Sequence, residues 1–129
     1  MKKTVLEIYA LAVCFFTVAC FVVTLGIALF DVIQVANPEF TLDRYRFEAF
    51  QSNESYKDWP GARLSDEERK TITEEKLTEH RATRYAQVLR AERHDGAQSL
   101  LRMIIIMFVD ALAFIVHWII AKRARQSGA

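Results

Sequence analysis

Two apolar runs separated by a charged stretch constrain this chain more than any other feature of its sequence. The first, Ile8 to Phe30, contains no charged residue and covers about 23 positions, enough to cross a bilayer core of about 30 Å. The second, Met103 to Ala121, covers about 19 positions and is interrupted only by Asp110 and His117. The pattern predicts two transmembrane helices. The first run is too long for a signal peptide, and we expect it to be retained.

The charge distribution supports this division. The 129 residues suffice for one domain, and 26% of them are charged, which a soluble protein also shows. Here, however, nearly all the charge lies between the two apolar runs. The formal net charge is only +1, and no basic patch stands apart from neighbouring acids, so we expect no nucleic-acid partner.

The predicted fold is an all-α membrane protein. Two antiparallel transmembrane helices are joined by a loop that contains a charged extramembrane helix. Residues 1–36 would hold the N-terminal tail and first membrane helix, 37–98 the loop, and 99–129 the second membrane helix with a basic tail. The first helix should run from about Thr4 to about Val35 and stop before Asn37-Pro38, because proline disfavours helix in the residue ahead of it.

The loop carries aromatic side chains and one strong helix signal. Six aromatics lie between the first helix and residue 64, and rings just outside a membrane helix often lie among lipid headgroups; a partner-binding patch is the alternative. Ser65 and Glu68 form a capping-box pattern that predicts a helix over about 65–94. Its apolar face, Leu77, Tyr85 and Val88, is narrow, so the helix is either solvated or packed on a neighbour. Asp95-Gly96 would bend the chain there, unless the helix continues into the second membrane segment.

Flanking charges predict the orientation. Lys2 and Lys3 precede the first helix, and Lys122, Arg123 and Arg125 follow the second. Two spans place both termini on one side, so the positive-inside tendency predicts cytoplasmic termini and an external loop in a cell (inner) membrane.

Ionisable residues within the second membrane helix are the main candidate site. Asp110 lies near the bilayer middle, where a carboxylate costs at least about 2.5 kcal/mol. His117, seven positions on, shares its face. Two interpretations remain open: a neutral Asp110 that bonds a neighbouring helix and fixes its register, or an Asp110–His117 stripe that lines a proton or cation path in an oligomer.

The first helix offers a matching stripe. Thr17, Thr24 and Asp31 are seven apart and share one face. Counting depth from an interfacial ion pair between Asp31 and Arg102 places Thr24 level with Asp110, and Thr17 level with His117. We expect the two stripes to face each other, within a subunit or between subunits.

Small residues on the first helix predict close helix packing. They form two sets: Cys20, Thr24 and Ala28 at intervals of four, and Ala12, Ala19 and Gly26 at intervals of seven. Cys14 and Cys20 point to different sides of the helix, so we expect no disulfide between them.

Enzyme signatures are missing from the sequence. It has no phosphate-binding glycine loop, no paired Cys or Cys/His metal pattern and no nucleophile elbow. His80 and His94 have no suitably spaced partners, and we expect them to face solvent. The prediction is a non-enzyme without cofactor or metal.

The C-terminal pattern, from Asp110 through His117-Trp118 to Lys122-Arg123, resembles small bacterial two-helix membrane domains of unknown function, whose paired helices end on His-Trp and basic residues. That resemblance implies no activity. Mechanosensitive large-conductance channels share only the length and the number of spans, because their glycine-rich first helix is absent here.

Two functions follow as hypotheses. The first is a non-enzymatic accessory or scaffold subunit in the lipid bilayer, either a homo-oligomer or part of a larger membrane complex, that packs against other membrane helices. The alternative is a homo-oligomeric ion or proton channel that uses Asp110 and His117.

Overall fold

The computed structural model describes residues 2–126, with side chains from Val5 onward. Within that range the chain is helical and contains no strand: α1 Lys2–Ala36, α2 Arg44–Ala49, α3 Asn53–Asp58, α4 Asp66–Thr71 and α5 Glu74–Gln126. Short 3-10 turns at Pro38–Thr41 and Pro60–Ala62 follow α1 and α3. The side chains of Lys2 and Lys3, used above for orientation, lie outside the described residues.

The first long helix ends where proline predicts. Asn37 leaves helical geometry at φ −135° and ψ 75°, directly before Pro38. Both α1 and α5 are long and apolar enough to cross a membrane. The most apolar window of α1 is only 17% buried and that of α5 is 0% buried, whereas a core helix of a soluble protein is mostly buried.

The predicted helix over about 65–94 begins as expected, but in the structure it is interrupted at Ile72 and does not end near residue 94. The capping box at Ser65 is confirmed, since the Ser65 amide donates to Glu68 Oε2 at 2.8 Å and the Glu68 amide donates to Ser65 Oγ at 3.2 Å. The helix that it opens, α4, ends after one and a half turns, because Ile72 is extended at ψ 131°. A separate helix then starts at Glu74 and continues without interruption to Gln126, through Asp95-Gly96.

The chain forms two compact units, and α1 and α5 contribute to both. The first unit contains residues up to 31 and from 98 onward. Its α1 residues buried to below a tenth are Ala10, Cys14, Thr24, Ala28 and Asp31. Successive members are four, ten, four and three residues apart, which are sums of the three- and four-residue steps along one helix face, and the small side chains allow close contact. We call this face of α1, with the α5 residues against it, the interhelical seam.

The second unit, residues 32–97, has a small aromatic core. It is formed by Phe50, Tyr56, Ala62, Leu64 and Leu77, with Trp59, Ile72, Tyr85 and Val88 against it. The predicted face of Leu77, Tyr85 and Val88 therefore packs on the short helices of the loop. Ile72 leaves α4 to join this core, and that packing accounts for the helix break.

The loop aromatics divide between this core and the surface. Phe50 and Trp59 contact each other edge to face at 5.1 Å between ring centroids, and Tyr56 is fully buried. The ring of Trp59 occupies the space that a Cβ at position 61 would need, so the turn requires Gly61. The expectation of a headgroup belt is thus wrong for these three rings, while Phe40, Tyr45 and Phe47 are exposed.

Candidate functional site

Asp110 lies in the interhelical seam beside two cavities. One, of about 330 Å³, is lined by Asp110 together with Thr17, Val18, Phe21, Ala111, Phe114 and Ile115. The other, of about 380 Å³, is lined by Asp110 with Ala19, Cys20, Val23, Thr24 and Ile106. Oδ2 of Asp110 is buried and has no hydrogen-bond partner among the described residues. A carboxyl oxygen in this state is costly, since a buried polar atom without a partner loses its hydration and gains nothing in return.

The two threonines of the predicted stripe are bonded to their own helix. Thr17 Oγ1 donates to the Cys14 carbonyl at 2.9 Å, and Thr24 Oγ1 donates to the Cys20 carbonyl at 2.7 Å. Such back-bonding is the usual way for a threonine to satisfy its hydroxyl inside an apolar helix. Both hydroxyls thereby use their only donor, so neither donates to Asp110. The Thr24 oxygen still has a lone pair that can accept from a protonated carboxyl.

His117 is held in the same local manner. Its Nδ1 lies 2.8 Å from the Ala113 carbonyl oxygen, and because a carbonyl only accepts, Nδ1 carries the hydrogen. The imidazole ring packs on Tyr9 of α1, with ring centroids 6.0 Å apart. His117 therefore lies beside Tyr9 and not beside Thr17.

Asp31 has a different partner from the expected one. The Ser99 hydroxyl donates to Asp31 Oδ2 at 2.7 Å, and Asp31 is only 3% exposed. Arg102 is exposed, and the ion pairs found within the described residues do not include Asp31 with Arg102. Sequence reasoning missed Ser99, although it lies one turn before Arg102 on the same helix face.

The bond between Asp31 and Ser99 shifts the register of α1 against α5 by about one helical turn from the predicted one. Counting from an assumed Asp31–Arg102 pair placed Thr24 level with Asp110, whereas Thr24 shares a cavity lining with Ile106 as well. Further along, the Cys14 thiol lies 3.9 Å from the Phe114 carbonyl oxygen. The long side chain of Arg102 reaches solvent at a distance from its own backbone, so its charge is a poor marker of depth.

The predicted packing residues fall on two faces of α1. Thr24 and Ala28 are buried in the seam, while Cys20 is exposed. Ala12, Ala19 and Gly26 are exposed as well, and a Cβ at position 26 would meet nothing within 4 Å. Ala19 nevertheless lines a cavity that Ile106 and Asp110 of α5 also line.

The loop histidines have distinct surroundings. His80 is half-buried, and its Nδ1 lies 2.8 Å from the hydroxyl of the fully buried Tyr56, so the expectation that it faces solvent is wrong. His94 is exposed. Among the residues with described side chains, no group of three or more His, Cys, Asp and Glu is arranged to hold a metal ion.

Comparison of the chain with protein-family models, with curated proteins and with solved structures finds no match in any of the three. The geometry of the seam therefore carries the functional argument.

Proposed function

We propose that this chain is a non-enzymatic accessory or scaffold subunit of a cell (inner) membrane. In this proposal α1 and α5 cross the bilayer as an antiparallel pair, with cytoplasmic termini and an external loop, and the pair packs against other membrane helices. These belong to further copies of the chain or to a larger complex. Exposed apolar side chains along both helices support the insertion, since such a surface is stable only against lipid or protein.

The unpartnered carboxyl oxygen of Asp110 is the observation that supports the packing role. Thr17 and Thr24, which line the cavities beside it, use their hydroxyl donors within α1, yet Asp110 Oδ2 has no partner among the described residues. A donor from another membrane helix would satisfy that oxygen and offset part of the insertion cost of at least about 2.5 kcal/mol. The two cavities beside Asp110 leave room for such a side chain to reach it.

Exchanging Asp110 tests this role. Gentle detergent extraction of the tagged chain from its host, followed by native mass determination, identifies the complex. Asp110→Leu should reduce the recovered complex at least about tenfold, because the hydrogen-bonding group is gone, whereas Asp110→Asn keeps such a group and most of the complex.

Two considerations exclude failed insertion or a nonspecific effect of substitution as the cause of a lost complex. Leucine inserts into a bilayer more readily than aspartate, so a loss of complex in Asp110→Leu is not a failure of insertion. Phe108→Leu changes a side chain that is 65% exposed two positions away, and it should leave the complex unchanged. A complex that survives Asp110→Leu intact contradicts the packing role.

A homo-oligomeric ion or proton channel is the second candidate, favoured by the place of Asp110 between two cavities. Against it, most of the lining is apolar, and His117 is bonded to its own backbone. Purified oligomers in liposomes distinguish the two: a channel conducts and loses its flux in Asp110→Asn, whereas an accessory subunit shows no flux with either residue.

A further inference from the structure

A cavity at the basic end of the first unit is not explained by helix packing alone. It has a volume of about 340 Å³ and is lined by Leu11 from α1 and by Trp118, Ala121, Lys122, Arg125 and Gln126 from α5. One wall is therefore apolar, and the other carries two cations. This combination matches a ligand that is itself amphiphilic.

The charge at the cavity remains positive after its ion pair is counted. Arg125 Nε donates to Glu7 Oε1 at 3.0 Å, which fixes the guanidinium across the two helices. That bond does not use the two terminal amino groups of Arg125. Lys122 is exposed and takes part in none of the ion pairs found within the described residues. The cavity lining thus carries two cations, of which the carboxylate of Glu7 pairs with one, and an anion is the complementary ligand.

The apolar wall is placed for an acyl chain. The Phe114 ring stacks on Trp118 with centroids 6.0 Å apart and an interplanar angle of 13°, which holds the indole against the helix. Trp118 is nevertheless 51% exposed, and tryptophan prefers the level of the lipid headgroups. Ala121 is buried and small, so it leaves space between Leu11 and the basic side chains.

We propose that this cavity binds the headgroup of an anionic phospholipid. The phosphate lies between Lys122 and Arg125, and an acyl chain follows Leu11 and Trp118 towards the bilayer. Basic cavities between membrane helices on the cytoplasmic side are a recurrent lipid-binding arrangement. The inference rests on the proposed membrane insertion and is independent of the accessory role.

Neighbouring lysine and arginine provide a matched pair of variants. Lys122→Gln removes a cation that lines the cavity, and Arg123→Gln removes the same charge one position on, from a side chain that does not line it. Native mass spectrometry of the full chain in detergent, titrated with phosphatidylglycerol, measures the bound lipid. Lys122→Gln should weaken binding about fivefold, and Arg123→Gln less than twofold.

Further comparisons distinguish a specific lipid site from nonspecific binding of lipid or phosphate. Phosphatidylcholine should bind at least about fivefold more weakly than phosphatidylglycerol, because its headgroup has no net charge. Equal losses in both variants, equal binding of the two lipids, or displacement of the lipid by inorganic phosphate at equal concentration would each overturn the proposal. Failure of insertion itself is seen separately, as absence of the chain from the membrane fraction of its host.

Discussion

Asp31 and Asp110, both in the first unit, differ in how their buried carboxyl oxygens are hydrogen-bonded. Asp31 is 3% exposed and its Oδ2 accepts a hydrogen bond from Ser99, so that oxygen has a partner inside the unit. Asp110 is only partly buried as a residue, but its Oδ2 is buried and has no partner among the described residues. Because an unpaired buried polar group costs about 1–3 kcal/mol in proteins, Asp110 stabilises the helix pair less than any apolar residue would. That deficit is the reason to place its partner on another chain.

Tyr85 in the second unit gives a residue-scale prediction about pH. Burial, followed by a hydrogen bond to Glu39 and the charge of that carboxylate, raises the pKa of Tyr85 from about 10 to about 12. The folded unit therefore favours the neutral phenol. The resulting stability is fully present below about pH 10 and is lost as the pH rises through about 12. We expect the free energy of unfolding to fall across that window, as measured by denaturation at stepped pH.

Two variants test whether Tyr85 causes this dependence of the free energy of unfolding on pH. Tyr85→Phe removes the titrating group and should flatten the dependence between about pH 10 and 12. Glu39→Gln removes the carboxylate but leaves the burial, which is the larger cause, so part of the slope should remain. An unchanged slope in Tyr85→Phe would show that another group is responsible.

Among the secondary-structure elements, local signals were decisive only where the cause was local. The end of α1 at Asn37-Pro38 and the capping box at Ser65 depend on neighbouring residues, and both are confirmed. The end of α4 depends on Ile72 joining a core whose other members lie elsewhere in the chain. No helix propensity contains that information, because tertiary packing decides it.

In the candidate site, too, some features follow from local sequence and others only from packing. The shared face of Thr17, Thr24 and Asp31 follows from helix periodicity. Its register against α5 does not, because Ser99 and Arg102 are both plausible partners and only packing selects between them. The buried Thr24 and Asp31 place the stripe in the seam, and the bond to Ser99 fixes its depth.

Two glycines in the long helices yield an element-scale prediction. A Cβ at Gly96 would lie 2.9 Å from Gln34 Cγ and 3.0 Å from its Cβ, while one at Gly26 would meet nothing within 4 Å. Gln34 is held in place because its Nε2 donates to Glu92 Oε1 at 2.8 Å. Gly26→Ala should therefore gain roughly 0.5–1 kcal/mol of helix propensity, whereas Gly96→Ala should lose roughly 1–3 kcal/mol to overpacking, less that same gain.

Thermal unfolding of both variants in one detergent, followed by circular dichroism, tests this contrast. Gln34→Ala in the Gly96→Ala background removes Cγ and Cδ but keeps Cβ, so it should recover part of the loss. Two alanine variants of equal stability would mean that α1 and α5 do not approach closely at Gly96.

For the molecule as a whole, the two compact units differ in what stabilises them. The first unit has small residues in its seam and leaves large apolar side chains exposed, as a helix pair in lipid does. The second has an aromatic core and charged outer surfaces, as a water-exposed unit does. This difference agrees with the proposal that the first unit lies in the bilayer and the second in water.

The orientation of the chain is the prediction at this largest scale. With Cys14 and Cys20 replaced by serine, single cysteines at Glu79 in the loop and at Gln126 in the tail report on opposite sides of the membrane. A membrane-impermeant thiol reagent added to intact cells should label Glu79→Cys and leave Gln126→Cys unlabelled until the membrane is opened. The physical reason is the cluster of Lys122, Arg123 and Arg125 at the end of α5, since such clusters remain cytoplasmic.

Charge neutralisation provides the control. Exchanging these three basic residues for glutamine removes the asymmetry on the C-terminal side, so a fraction of molecules should then expose Gln126→Cys to the reagent. Exchanging Lys70 and Lys76 for glutamine instead should change nothing, because both are exposed and lie far along the chain from either apolar run, where loop charge has little effect on orientation. Labelling of Gln126→Cys in intact cells with the native basic residues present would reverse the topology. It would also move the lipid cavity at Lys122 to the outer leaflet.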